Sequence, residues 1–317
     1  MAKKQILFEC QACGFQSAKW LGKCPNCGAW DEFLELSQNQ IDILKESNSN
    51  PISHATTQGA IPITDVHYEN IERYSSGDKE LDLVLGGGIV RGSLTLIGGS
   101  PGVGKSTLLL KIAGNLAKEG KKVLYVSGEE SASQIKLRAT RVDSNYKELY
   151  LLSEIRLDII FKELEKQPFE VLIIDSIQTI YSEKVSSSPG SVSQVREITF
   201  DLMRFGKEKN IAIFIIGHIT KEGSIAGPRV LEHMVDTVLY FEGDSSRELR
   251  LLRGFKNRFG TTSEVGIFEM TKAGLMSAKD VSKKFFTRGR AQAGSAITVL
   301  MEGSRPIVLE VQALVSD

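Results

Sequence analysis

One eight-residue run, Gly99-Ser100-Pro101-Gly102-Val103-Gly104-Lys105-Ser106, limits what this chain can fold into more than any other feature. It fits G-x4-G-K-[ST] and lies between a short apolar run, SLTLIGGS (93–100), and a helical pattern, TLLLKIAGNLAKEG (107–120), that closes on Gly120. A strand that enters a helix through such glycines makes a loop whose N–H groups wrap phosphates, backed by the positive end of the helix dipole. Lys105 then neutralises the outer phosphates and the Ser106 hydroxyl holds Mg²⁺, with Thr107 completing the nucleotide-binding set. The flanking strand and helix separate this reading from a glycine-rich turn with an incidental lysine. The expected ligands are ATP and Mg²⁺.

The same alternation continues through the middle of the chain. KKVLYVSGE (121–129) reads as a strand, a helix runs from about Ser133 to Val142, YLLSE (150–154) is a strand, and a helix runs from about Leu157 to Lys166. EVLIIDSIQTI (170–180), IAIFIIGHI (211–219) and TVLYFEG (237–243) are further strands. Between them, residues 191–210 set Val192, Val195, Ile198, Leu202 and Phe205 on one helical stripe. Apolar strands alternating with helices predict an α/β fold, a mostly parallel sheet with helices on both faces.

Asp175, at the tip of LIIDS, is placed to hold the water shell of Mg²⁺, but Ser176 follows it, not glutamate. Enzymes whose water-polarising glutamate directly follows that aspartate are thereby excluded, and the base must come from elsewhere. Glu129 and Glu130, ending YVSGEE, face the same crevice at the carboxyl ends of neighbouring parallel strands. A carboxylate there orients an attacking water, whereas two acids that merely begin the next helix would serve its dipole. Glu129 is the preferred base. His218, at the end of IAIFIIGHI, is either a sensor of the terminal phosphate in that crevice or a structural histidine.

A second module precedes this core. All four cysteines, Cys10, Cys13, Cys24 and Cys27, fall in C-x2-C-x10-C-x2-C, and each pair is followed by glycine. Two such knuckles supply the four thiolates of a tetrahedral Zn²⁺ site, with no open position for chemistry. Two disulfides are the alternative. They do not suit a cytosolic protein, and MAKKQILFEC has no apolar core of signal-peptide length, so the expected location is the cytoplasm. No apolar stretch approaches the roughly 18 residues of a membrane helix. A segment this short needs the metal for much of its folding energy. Trp20 and Trp30 are expected to pack over the knuckles, with base stacking as the alternative. Residues 35–66, rich in Ser, Asn, Gln and Thr, read as a linker, and His54 and His67 stand off any ligand spacing.

With 39 basic against 39 acidic residues, no global charge points to nucleic acid. Local clustering must supply any such surface. RELRLLRGFKNR (247–258) is the strongest positive run, with Arg247, Arg250, Arg253, Lys256 and Arg258 interleaved with leucines and Phe255. It reads either as a solvated face or as a strand directing cations at polyphosphate or a DNA backbone.

The P-loop, GEES, LIIDS and GHITKEG segments resemble the RecA-like ATPase core, shared with KaiC clock proteins and replicative helicases. With the four-cysteine module and Lys256-Asn257-Arg258-Phe259-Gly260, nearly the whole chain resembles the bacterial RadA (Sms) family. The resemblance implies a DNA-dependent ATPase of DNA repair and recombination. Its members form hexameric rings and drive branch migration of recombination intermediates on single-stranded and branched DNA, alongside the RecA recombinase. It implies that Lys256 and Arg258 reach the neighbouring subunit's nucleotide. It further implies that residues 182–194 and 220–229 are mobile DNA-binding loops at the ring centre, with Lys184, Arg196, Lys221 and Arg229 as phosphate contacts. The expected division is a zinc module (1–34), a linker (35–66), a RecA-like ATPase domain (67–285), and a junction opening a Lon-protease-like domain (286–317). The competing readings are a KaiC-like regulatory ATPase that does no work on DNA, and a zinc scaffold that binds nucleotide without hydrolysing it.

Overall fold

The computed structural model describes residues 8–10, 12, 15–36, 62, 64, 72–217, 231–243, 249–271, 274–278 and 294–313. The linker histidines His54 and His67 and the junction at 281–290 lie outside them.

The first module is a three-stranded antiparallel sheet of β1 (Phe8–Cys10), β2 (Gln16–Ser17) and β3 (Phe33–Glu35), with β1 in the centre. Among the described residues its buried cluster is Cys10, Cys24 and Phe33, with Phe8, Ala12 and Leu21 packed against it. Phe33 fills the space that was expected to take the tryptophans. Trp20 is 51% and Trp30 68% exposed, so neither forms a core over the knuckles. Trp20 donates from Nε1 to the Phe33 carbonyl at 3.2 Å, and the Lys23 ammonium lies 5.2 Å from the Trp30 ring centroid.

The main body starts with β4 (Arg73–Tyr74), α1 (Lys79–Val84) and β5 (Ile89–Val90), which the sequence reading left unassigned. Then follow β6 (Leu94–Gly99), α2 (Lys105–Lys118), β7 (Val123–Ser127), α3 (Ala132–Arg141), β8 (Leu149–Ser153), α4 (Leu157–Glu165) and β9 (Val171–Asp175). A single 3-10 turn (Ile177–Thr179) leads on to α5 (Val192–Lys209) and β10 (Ala212–Ile216). The last sheet strands are β11 (Thr237–Glu242), β12 (Leu249–Asn257), β13 (Val265–Thr271) and β14 (Gly274–Ser277). They form one nine-stranded sheet in the order β14-β13-β12-β11-β6-β10-β9-β7-β8. The six strands from β11 to β8 are parallel, and β12, β13 and β14 add an antiparallel wing. This is the expected α/β fold, with a wing that the alternation did not announce beyond β12.

Alternate side chains along a strand point to opposite faces, and both faces here are apolar. Val171, Ile173, Ala212 and Phe214 face α1, α2 and α3, whereas Leu172, Ile174, Ile213 and Ile215 face α4 and α5. The helix ends carry local signals. Ser131 and Gln134 make a capping box on α3, Ser191 caps α5, and Asn210 ends α5 in the left-handed region.

Residues 182–194 are not a loose loop. The buried Gln194 amide accepts from the Ser182 N–H and donates to the carbonyls of Ser182, Val185 and Ser187, all between 2.9 and 3.0 Å. One long side chain therefore supplies the bonds a strand partner would have given. The hairpin β15 (Ser295–Glu302) and β16 (Arg305–Gln312), which in sequence lacked a companion, docks on the wing. Ile307 packs with Val265 and Ile267, and Arg305 pairs with Glu80 at 2.7 Å.

Candidate functional site

Three strand ends converge. β6 runs into the glycine loop and α2, whose N-terminus at Gly104 takes φ +116°, a conformation that disfavours side-chain-bearing residues. Gly99 has no room for a side chain, because a Cβ there would fall 2.4 Å from the Phe241 carbonyl oxygen of β11. β10 separates β6 from β9, which ends in Asp175, and β7 follows β9 and leads through Gly128 into Glu129. The glutamate stands on the strand next to the aspartate, as its sequence position implied.

The polar groups at this edge are connected. Lys105 is buried and donates from Nζ to the loop carbonyls of Gly99 (2.7 Å) and Ser100 (3.0 Å). Burial pulls its ammonium down to about 8, against the opposing pull of Asp175 and Glu129, so both carboxylates act on this lysine. The Tyr125 hydroxyl, from the middle of β7, donates to Asp175 Oδ2 at 2.6 Å, and burial beside that carboxylate pushes the phenol well up. Ser176 Oγ donates to Glu129 Oε1 at 2.9 Å, and the peptide joining Asp175 to Ser176 is cis. Glu130 turns away and pairs with Arg138 of α3. The structure thus separates the two glutamates: Glu129 enters the crevice, and Glu130 ties α3 to the strand end. Ser106 and Thr107 stand half-buried on the first turn of α2, with Pro101 and Gly102 exposed at the tip of the loop and Val103 buried beneath it.

Three functional groups were missed in sequence. Ser176 was read only as the absence of glutamate, Tyr125 only as an apolar strand residue, and Arg250 only as one of a basic run. Arg250 is in fact buried and donates from Nε to the Val103 carbonyl of the phosphate loop at 3.2 Å. Its inward placement follows from strand alternation: Arg250 and Leu252 face the core, and Leu249 and Leu251 face the hairpin.

The rest of that basic run disperses as well. Arg253 pairs with Glu242 and Glu302, Lys256 donates to the carbonyls of Glu232, His233 and Val235, and Arg258 pairs with Asp236 at 3.2 Å. The run therefore does not form one continuous cationic face. Lys256 and Arg258 sit beside the start of β11, at the opposite end of the sheet from this chain's own glycine loop. Asn257 and Gly260 of the same KNRFG segment lock it to α1: Asn257 bonds the Val84 carbonyl, and Gly260 packs on Gly86, where a Cβ would fall 3.1 Å from the opposing Cα. Lys184 pairs with the buried Asp201 at 2.8 Å, and Arg196 is exposed on α5. His218, Lys221, Arg229 and Arg247 lie outside the described residues.

In the first module the sulfurs of Cys10, Cys24 and Cys27 lie within 4.8 Å of one another, and those of Cys10 and Cys27 are 3.8 Å apart. Thiolates about 2.3 Å from a shared tetrahedral ion stand about 3.8 Å from each other, whereas a disulfide needs about 2.05 Å. The donor set fits a thiolate-bound metal. Cys13 lies outside the described residues.

Comparison with known proteins agrees with this geometry. Residues 8–35 match the family model described as a rubredoxin metal binding domain, and residues 64–224 match the AAA domain. A KaiC-like protein from Pyrococcus horikoshii OT3 shares the fold, with a TM-score of 0.55 at 20% identity over 66% of this chain and all of that one. Over its full length the chain is 67% identical to the DNA repair protein RadA of Campylobacter jejuni serotype O:2 and 61% identical to that of Helicobacter pylori strain J99, covering 70% of each. It is 50% identical to RadA of Bacillus subtilis strain 168, covering 69% of that relative. A metal-binding ribbon in front of an ATP-hydrolysing AAA domain, matched from end to end at such identities, means that the chain belongs to the RadA family.

Proposed function

We propose that this protein is a DNA-stimulated, Mg²⁺-dependent ATPase of DNA repair and recombination. It works as a hexameric ring in the cytoplasm and drives branch migration of recombination intermediates. The observation that carries the hydrolytic part is the convergence of Lys105, Asp175 and Glu129 at one sheet edge, with the lysine under the influence of both carboxylates. Mg²⁺, held by Ser106 and a water shell on Asp175, would supply charge neutralisation at the outer phosphates. Gly99 to Gly104 present backbone N–H groups to the phosphates, Lys105 exchanges its loop carbonyls for phosphate oxygens, and Glu129 orients the attacking water. Glu130 supports that edge through Arg138, and His218 senses the terminal phosphate.

Lys256 and Arg258 act across a subunit boundary in this reading. Their distance from the chain's own glycine loop supports it, because cations at the far end of the sheet cannot serve the phosphates of their own subunit. Single-stranded and branched DNA are the substrates, with Arg196, Lys221, Arg229 and Lys184 as backbone contacts in the pore. RecA is the recombinase served. The ribbon holds Zn²⁺, which supplies folding energy rather than catalysis. The division into zinc module, linker, ATPase domain and Lon-like junction belongs to the same reading.

The test is ATP turnover with and without single-stranded DNA, for wild type and Lys105→Ala, with movement of a three-stranded junction followed in parallel. Stimulated turnover and junction movement, both lost in K105A, are expected. Turnover indifferent to DNA would instead identify a regulatory ATPase of the KaiC kind.

A further inference from the structure

The register between β11 and β12 breaks at one place. Val238 pairs with Lys256 and Leu239 pairs with Gly254, so Phe255 is the extra residue of a β-bulge. A bulge re-aims its unpaired side chain, and such bulges recur beside functional sites. This one turns an aromatic ring into solvent: Phe255 is 61% exposed, and its only ring contact among the described residues is an edge-on one to Tyr240 at 5.5 Å. Leaving a phenylalanine outside forgoes the stabilisation of burying it. Yet its neighbour in sequence is Lys256, one of the two cations that cannot reach this chain's own phosphates.

A matching surface exists on the other side of the sheet. Leu137 on α3 is 76% exposed, facing away from the buried stripe of Ile135 and Ala139. Ile155, after β8, is 41% exposed and lies against Gly128, whose added Cβ would meet Ile155 Cγ2 at 3.0 Å. Ile155 thus forms the lip beside Glu129, with Glu154 next to it. Six strand spacings separate β12 from β8, about 29 Å, so one chain cannot bring its Phe255 to its own Ile155. The bulge side carries the cations Lys256 and Arg258, and the lip carries the carboxylates of Glu129 and Glu154.

We propose that Phe255 is the aromatic anchor of a head-to-tail contact between copies of this chain, seated on Ile155 and Leu137 of the next copy. The contact delivers Lys256 and Arg258 to the neighbour's phosphate edge. It deepens the reading of these cations as inter-subunit residues and rests on it. Two different patches that fit one another generate a ring or a filament rather than a closed pair. A single well-seated aromatic commonly dominates such contacts.

The test uses the full chain with ATP and Mg²⁺, and measures assembly by sedimentation. One variant is Phe255→Ser, and the other combines Leu137→Ser with Ile155→Ser. All three positions are exposed, and unchanged melting and ATP binding would verify the folds. Each variant alone is expected to associate at least tenfold more weakly than wild type. An equimolar mixture is expected to recover dimers but no larger species, because only one intact edge of each kind remains. Assembly of F255S like wild type, a mixture that stays monomeric, or a wild-type chain that does not associate would each overturn the proposal. So would normal assembly of F255S with lost DNA stimulation, which would place the ring against DNA bases. Glu129→Gln, included as a control, should assemble normally without turnover. If it hydrolyses ATP, the catalytic reading fails while the contact stands.

Discussion

The two halves of the nine-stranded sheet invert each other's logic. In the parallel half, polar groups crowd the carboxyl ends of β6, β9 and β7 over a core that is apolar on both faces. In the antiparallel wing, cations are spread along β12 and each finds a separate partner: a loop carbonyl, a carboxylate or a turn. The parallel half is built for one ligand, because strands pointing the same way bring their ends to a common crevice. The wing has no such edge. Its charges brace the phosphate loop, hold the hairpin and tie down the turn before β11, so cations serve three purposes within nine positions of β12.

The sharpest way to break this contrast is to remove the single group on which the crevice depends. Glu129→Gln keeps the shape and the acceptor for Ser176 Oγ but loses the charge that orients water. Turnover should fall about 10²–10⁴-fold, the usual worth of a general base, with ATP binding preserved. Single-turnover kinetics and equilibrium nucleotide binding check both halves of that statement. A loss of less than tenfold would mean that the water is oriented from elsewhere and that the crevice is no more specialised than the wing.

Arg250 joins the two halves, so its removal sharpens the comparison. Arg250→Met keeps the apolar stem that passes Gly243 but leaves the Val103 carbonyl without this donor. A charged hydrogen bond of this kind is worth about 1.5–3 kcal/mol, and urea unfolding should show a loss of that order. ATP binding should weaken as well, because the loop that Arg250 braces becomes less ordered. If stability falls and binding does not, the wing supports the sheet without tuning the site.

Legibility followed the same division. The glycine loop, Asp175 and Glu129 could be read because their chemistry depends on short, contiguous segments at strand ends, where sequence spacing and spatial position coincide. The roles of Tyr125 and Ser176 could not, because their hydrogen bonds span 50 and 47 positions. In the wing the strand pattern of 247–258 was visible, but which cation turned inward depended on register, and the bulge at Phe255 shifts that register within the strand. The tryptophans failed for a different reason: Phe33, with Phe8 and Leu21 against it, already packs on the buried cysteines, and both indoles stay outside.

A pH experiment probes the crevice more gently. Burial holds Lys105 at about 8, below the 10.5 of a free lysine, so the folded chain binds fewer protons than the unfolded one between those values. Stability should therefore rise with pH across that window, the reverse of what a lysine held by a salt bridge gives. Nucleotide binding should do the opposite. Phosphate favours the charged lysine, so ATP affinity should fall as pH passes 8, by no more than tenfold per unit. Titration calorimetry at pH 7, 8 and 9 in buffers of different ionisation heat would reveal the accompanying proton uptake. Affinity that stays flat would mean that the lysine keeps its proton throughout that range.

The smallest effect expected is at Lys184, and it bears on whether the DNA contacts lie outside both halves. Its ammonium is mostly exposed but pairs with Asp201, which is buried. The lysine end of the pair is exposed and screened by solvent, so Lys184→Ala should destabilise the fold by only about 1 kcal/mol. If Lys184 also meets a phosphate, the variant should flatten the dependence of DNA affinity on salt by nearly one unit of slope, equally for every sequence. The two readouts are independent, because the pair with Asp201 acts on folding and a released counterion acts only on binding. A changed melting temperature with an unchanged salt slope would make Lys184 a brace for α5, and would leave Arg196, exposed on the same helix, as the residue to follow toward DNA.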